Sequence, residues 1–122
     1  VSLRADPLSA AAFAPFGQVL AREPDEATLE VRDGEELHLN ILSYERGPLR
    51  CDHLNAHHRS TQALFPMRPT VLVVAPAGTA FADAEDIESA RAFVVDGTAG
   101  VNLALGTWHW GPYPIADRVD IV

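Results

Sequence analysis

The sequence predicts an all-β fold, a sandwich or barrel of roughly eight to ten short strands. Three observations carry that reading. Nine prolines and eight glycines are spread along 122 residues, which favours many short elements over a few long ones. Short apolar or alternating runs recur between turn signals such as Asp33-Gly34, Pro76-Ala77-Gly78 and Asp96-Gly97. The stretch Cys51–Gly78 packs His53, His57 and His58 just ahead of Gln62-Ala63-Leu64-Phe65-Pro66 and the apolar run Thr70–Ala75. Proton-moving side chains directly before a strand that must be buried suit a barrel with a polar interior.

The elements follow in order. Val1–Arg4 reads as an edge strand. Ser9 is an N-cap for the short helix Ala10-Ala11-Ala12-Phe13, which Pro15 and Gly17 limit. Gln18–Ala21 reads as a strand and Arg22–Glu30 as an acidic loop. Asp33-Gly34 predicts a hairpin joining Leu29–Arg32 to Leu37–Leu42, where Leu37, Leu39 and Ile41 alternate with His38 and Asn40. A turn at Arg46-Gly47-Pro48 leads to strand Leu49–Leu54, a polar bend His57–Ser60 and strand Thr61–Phe65. After Thr70–Ala75, Gly78–Glu88 reads as an acidic loop with one helical turn. Arg91–Val95, Val101–Ala104 and Pro114–Val122 supply further strands, with Gly106, Gly111, Pro112 and Pro114 breaking the region between. The chain reads as one domain over residues 1–122. Its last residues, Asp120-Ile121-Val122, sit inside an apolar strand, so final elements of the domain are expected to be missing.

Composition excludes several classes. The net charge is −8, and every basic residue is arginine. A chain without a basic stripe does not bind nucleic acid or an anionic membrane surface. The single cysteine, Cys51, forms no internal disulfide, and a buried inert thiol is expected there. No apolar run approaches the ~20 residues of a spanning helix, and no signal peptide is visible. A cytoplasmic protein is expected.

The polar residues allow two chemistries. A barrel metal site uses a His-x-His pair, an acid and a distant third His. The corresponding positions here are Asn55, His57, Gln62 and His109, and two of them carry neutral amides. A divalent metal stays open, with no cofactor assigned. Acid–base chemistry needs a histidine in a semi-enclosed pocket, and His57 and His109 are the pair to test. Each also reads as structural, His57 as a surface turn residue and His109 as a core imidazole bonded to backbone. Trp108 and Trp110 flank His109 and point away from it in an extended strand, one packing in the core and one walling a pocket. Gln62 and Asn102 are candidates for fixed hydrogen bonds to a ligand. Arg91 is either a carboxylate clamp or a surface ion-pair partner.

Three blocks then resemble the ureidoglycolate lyase family, formerly called ureidoglycolate hydrolases. The first is Pro7-Leu8-Ser9 followed by Ala12–Gly17. The second is His57 followed by Thr61-Gln62-Ala63-Leu64-Phe65-Pro66-Met67 and Val71–Val74. The third is Arg91-Ala92-Phe93 followed by Gly100-Val101-Asn102 and Thr107-Trp108-His109. The resemblance implies a cupin-like double-stranded β-helix and a homodimeric enzyme. That enzyme splits ureidoglycolate, a small-molecule substrate, into glyoxylate and urea by acid/base elimination. It points to His57 and His109 as catalytic and to Gln62 and Asn102 as orienting substrate; Trp108 and Arg91 join the substrate-binding candidates from the reading of the residues above. The chain departs from the family pattern at Ala104 and Trp110, where the family carries histidines. Its alternatives are a cupin-fold protein acting on another small polar acid, or a non-catalytic member.

Overall fold

The structure is a computed structural model that describes residues 2–23 and 25–122. Its elements are β1 (Ala5–Pro7), α1 (Ala10–Phe13), β2 (Gly17–Leu20), β3 (Leu42–Glu45), β4 (Gln62–Leu64) and β5 (Thr70–Ala75). There follow α2 (Ala84–Glu88), β6 (Arg91–Val95), β7 (Gly100–Leu103), β8 (Trp108–Pro114) and β9 (Arg118–Ile121). The strands form three sheets, ordered β1-β6-β5-β8, β2-β7-β4 and β3-β9. The fold is all-β and cupin-like, with the barrel left open.

Strand β5 anchors the large sheet. Its run Thr70-Val71-Leu72-Val73-Val74-Ala75 is almost wholly buried, as a β-branched run between two packed faces should be. Leu72 pairs with Phe93 of β6, and Val74 with His109 of β8. Cross-strand partners share a face, so Leu72, Val74, Phe93 and His109 look inward. On the small sheet, Val101 and Leu103 of β7 pair with Leu64 and Gln62 of β4 and look inward too. Between the sheets Phe13, Phe16 and Phe93 meet edge-on, with centroids 5.3 to 5.8 Å apart. A fully buried side chain such as Leu72 or Val74 contributes about 1.5–3 kcal/mol relative to exposure. The core is therefore the main source of stability.

Local signals mostly held. The Ser9 hydroxyl accepts from the Ala12 N–H at 3.2 Å, capping α1 as expected. Asp83 and Asp86 form a reciprocal capping box around α2.

Five expectations are corrected. Val1 lies outside the described residues, and the N-terminal edge strand sits later, at β1, parallel to β6. The Asp33-Gly34 turn forms, with positive φ at both residues, but no hairpin follows it. Val31 instead makes a bridge to Ser60, and residues 37–41 are exposed and outside any strand. Residues 49–54 form no strand either, and Cys51 is exposed rather than buried. Finally, β8 runs unbroken through Gly111-Pro112. The register slips there opposite Val71–Val73, a bulge that leaves the proline outside the regular ladder.

Candidate active site

His109 lies on the inner face of β8 and is only 7% exposed. Its main chain exchanges two hydrogen bonds with Asn55, at 2.8 and 3.0 Å. That bridge draws the 55–57 segment against β8. The Gly106 N–H then donates to the His57 carbonyl at 2.7 Å. Gly106 has φ +79°, and an added Cβ would come 3.2 Å from that of Ala77, so a side chain there would strain this contact. The two imidazoles end with ring centroids 5.0 Å apart. Residues 52 positions apart in sequence are thus aligned by backbone bonds alone.

The state of His109 follows from one contact. Its Nδ1 stands 3.1 Å from the Thr107 carbonyl. A carbonyl can only accept, so a neutral ring carries its proton on Nδ1 and leaves the Nε2 lone pair free. Burial pushes the His109 pKa below its ordinary value, the Thr107 carbonyl works against that shift, and nearby His57 adds to it. His109 is therefore neutral at neutral pH, as a general base requires.

His57, Gln62 and His109 line one narrow slot with Ser60, Leu103, Ala104 and Thr107. His57, Ser60 and Gln62 also line an adjoining cleft of about 450 Å³, large enough for a small ligand. The facing wall of that cleft is the segment Glu35–Asn40 with Leu42. The Gln62 Oε1 atom is buried without a partner. Leaving such an acceptor unmet costs about 1–3 kcal/mol, which suits a ligand-binding group.

The other candidates lie elsewhere. Asn102 pairs with Gln18 and Ala63, on the face of the small sheet opposite Gln62. Its Nδ2 donates to Gln18 Oε1 at 3.1 Å and to the Thr28 carbonyl at 2.8 Å, while its Oδ1 is buried without a partner. The structure does not bring it to the histidine pair. Trp108 sits on the outer face of the large sheet, where its indole donates to the Thr79 carbonyl and meets Phe81 edge-on. Trp110 shares that face and packs against His53 with ring centroids 3.8 Å apart, so neither tryptophan packs in the core. Arg91 donates to the carbonyls of Glu88 and Ala90, fastening the end of α2, and lines a separate surface hollow. Two residues that position the pair were not singled out for that purpose. The Thr107 carbonyl sets the tautomer, and Asn55 supplies the bridge; neither role leaves a side-chain signal in sequence.

Among the described residues, no three His, Cys, Asp or Glu side chains converge as a metal site. Two imidazoles and a neutral amide fall short of a transition-metal ligand set, so no step below runs through a metal. Among the described residues, no helix is long and apolar enough to cross a membrane.

A family profile described as "Ureidoglycolate lyase" matches residues 26–122. The chain is 35% identical to a ureidoglycolate lyase of Burkholderia mallei, over 99% of this chain and 80% of that relative. It is 33% identical to one of Azotobacter vinelandii, over 97% and 79%. A third, from Pseudomonas savastanoi pv. phaseolicola, is 32% identical over 96% and 78%. The first of these alignments spans 143 positions against 122 residues, so that relative carries segments this chain lacks within the matched span. With a profile covering most of its length and relatives up to 35% identical across nearly all of it, this chain belongs to the ureidoglycolate lyase family.

Proposed function

We propose that this chain cleaves ureidoglycolate to glyoxylate and urea by acid/base elimination, as a cytoplasmic homodimer. The observation that carries the reading is a buried, neutral His109 with a free Nε2, 5.0 Å from a second imidazole at the end of a cleft.

His109 Nε2 takes the proton of the substrate hydroxyl. The O–H electron pair becomes the second bond of the new carbonyl, and the C–N bond breaks toward nitrogen. His57, exposed to solvent, gives a proton to that nitrogen, releasing urea. Gln62 Oε1 accepts from a ureido N–H. His38 and Asn40, on the facing wall, supply donors to the carboxylate. Asn102 and Arg91 bear on the site only through the sheets they fasten, and Trp108 lies behind it.

Ala104 lines the slot at a position where the family pattern carries a histidine. That substitution favours a second reading, the same elimination on another small polar acid.

The test is release of urea and glyoxylate from racemic ureidoglycolate, corrected for spontaneous breakdown. His109→Ala and His57→Ala should each lower kcat by about 10²–10⁴-fold. Wild-type turnover in both variants would sink the acid/base assignment. A wild-type protein inert on ureidoglycolate yet active on a related carbinolamine acid would select the second reading.

A further inference from the structure

We propose that Glu36–Arg46 is the face through which two copies of this chain pair, antiparallel about a two-fold axis at Ile41, and that this pairing fixes the open wall of the cleft. The proposal rests on the two-copy assembly proposed above and names its surface.

The first observation is an unfinished strand. Among the described residues β3 pairs with β9 alone, which leaves its other edge without a ladder partner there. The residues leading into it, 36–41, make no ladder or bridge pairing among the described residues. A free edge offers a row of unpaired N–H and C=O groups. An antiparallel strand pair is also self-complementary under a two-fold axis.

The second observation is where the apolar side chains go. Leu37 is 52% exposed, Leu39 86% and Ile41 67%. These three alternate along an extended run, and nothing among the described residues covers them. Leu42 and Tyr44 continue the exposed apolar surface on the alternate positions. A contiguous patch of this kind marks an interface.

Charge then chooses the partner and the register. Residues 37–44 carry no formal charge in a chain of net −8, so the face is where two acidic copies repel least. Glu36 precedes the run and Arg46 follows it. With Ile41 opposite itself, antiparallel pairing sets Glu36 of each copy across from Arg46 of the other. The same register sets Leu39 across from Ser43 and Asn40 across from Leu42. Leu37, Leu39 and Ile41 from both copies then share one face around the axis. Arg46 at present holds Asp117 at 3.3 Å, an exposed pair that it can exchange.

The pairing bears on the site because Glu35–Asn40 and Leu42 wall the cleft that His57 and Gln62 open into. At its start that wall is tied by the Arg32 N–H to the Arg59 carbonyl, and at its end by β3. A second copy supplies the missing ladder partner between those points.

Cross-linking tests the axis directly. Residues directly opposite in an antiparallel pair have Cα atoms about 4.5–5.5 Å apart, within disulfide range. In a Cys51→Ser background, Ile41→Cys should oxidise rapidly to a covalent dimer, and Leu49→Cys, equally exposed but outside the run, should not. Sedimentation supplies the second arm. Ile41→Lys should give a monomer that still unfolds cooperatively, with a KM raised several-fold at nearly constant kcat. Arg46→Glu should weaken association by roughly tenfold at low salt, and adding Glu36→Arg should restore it. A wild-type protein that stays monomeric to about 100 μM would overturn the assembly and the face together. A dimer that ignores Ile41→Lys and fails to cross-link would overturn this face while leaving a two-copy enzyme. An Ile41→Lys monomer with wild-type KM would overturn the link to the cleft. Loss of activity in the wild type itself would strike the lyase reading and leave the association data standing.

Discussion

The two walls of the cleft are built on different terms. The wall that carries Gln62 belongs to β4, is hydrogen-bonded to β7 and backs onto Leu64, Val101 and Leu103. The wall formed by Glu35–Asn40 has its apolar side chains in solvent and its main chain outside any ladder. Both are rich in Leu, and composition does not separate them. What separates them is whether the alternate face of the strand finds a surface inside the same chain. The comparison teaches that an amphipathic run fixes a face and leaves its partner open.

The contrast can be broken most forcefully by deletion on each side. Leu72→Ala removes a side chain with no exposure from the middle of β5 and should cost roughly 2–5 kcal/mol in urea unfolding. A loss below 1 kcal/mol would mean the large sheet is not the anchor described. Next comes Asn102→Ala, which takes away the bonds to Gln18 and Thr28 and should cost about 1–3 kcal/mol while leaving KM for ureidoglycolate close to wild type. A large rise in KM with unchanged stability would return Asn102 to the site.

His109 sharpens the contrast through pH. Its folded pKa is depressed below the ordinary value of 6.5, so the unfolded chain binds its proton first as pH falls. The stability associated with a neutral His109 is fully present above about pH 6.5, and is lost as pH drops toward the folded pKa. Urea midpoints should therefore decline between pH 7 and 5, and His109→Gln should flatten part of that decline. An identical slope in both proteins would argue against a buried neutral ring. The smallest effect is expected at Leu39→Ala, within about 0.5 kcal/mol of wild type when measured on dilute protein.

Much of the fold was legible because local chemistry decided it. Ser9 caps α1, and the continuous apolar run Thr70–Ala75 is β5 with both ends where the sequence put them. Strand β8 was hidden because Gly111 and Pro112 read as breakers, whereas a bulge absorbs them. The hairpin after Asp33-Gly34 failed for a different reason: the turn is local, but the ladder it was to start is a long-range choice, and Arg32 makes it with Arg59. In the site, His57, Gln62 and His109 could be named from residue type and order. Asn102 lies on the face of β7 opposite Gln62, and the signal for that was present. In Gly100-Val101-Asn102-Leu103 the apolar neighbours claim the inner face, and period-two alternation sends Asn102 outward. The charge of Arg91 allows a carboxylate clamp or a surface ion pair, but its partners are carbonyls at the end of α2, which sequence does not display.

The Asn55–His109 bridge has a consequence for when this molecule can work. His57 reaches its place through a stretch of chain that packs little of itself, and is retained by that bridge and by Gly106. Such a tether opens at a lower free-energy cost than the sheets beneath it. Catalytic competence then fails as a separate, earlier event than melting. If His57 acts as proposed, then on gradual addition of denaturant turnover should fade while the aromatic core still reports a native protein, and on dilution it should return at the speed of loop closure rather than of folding.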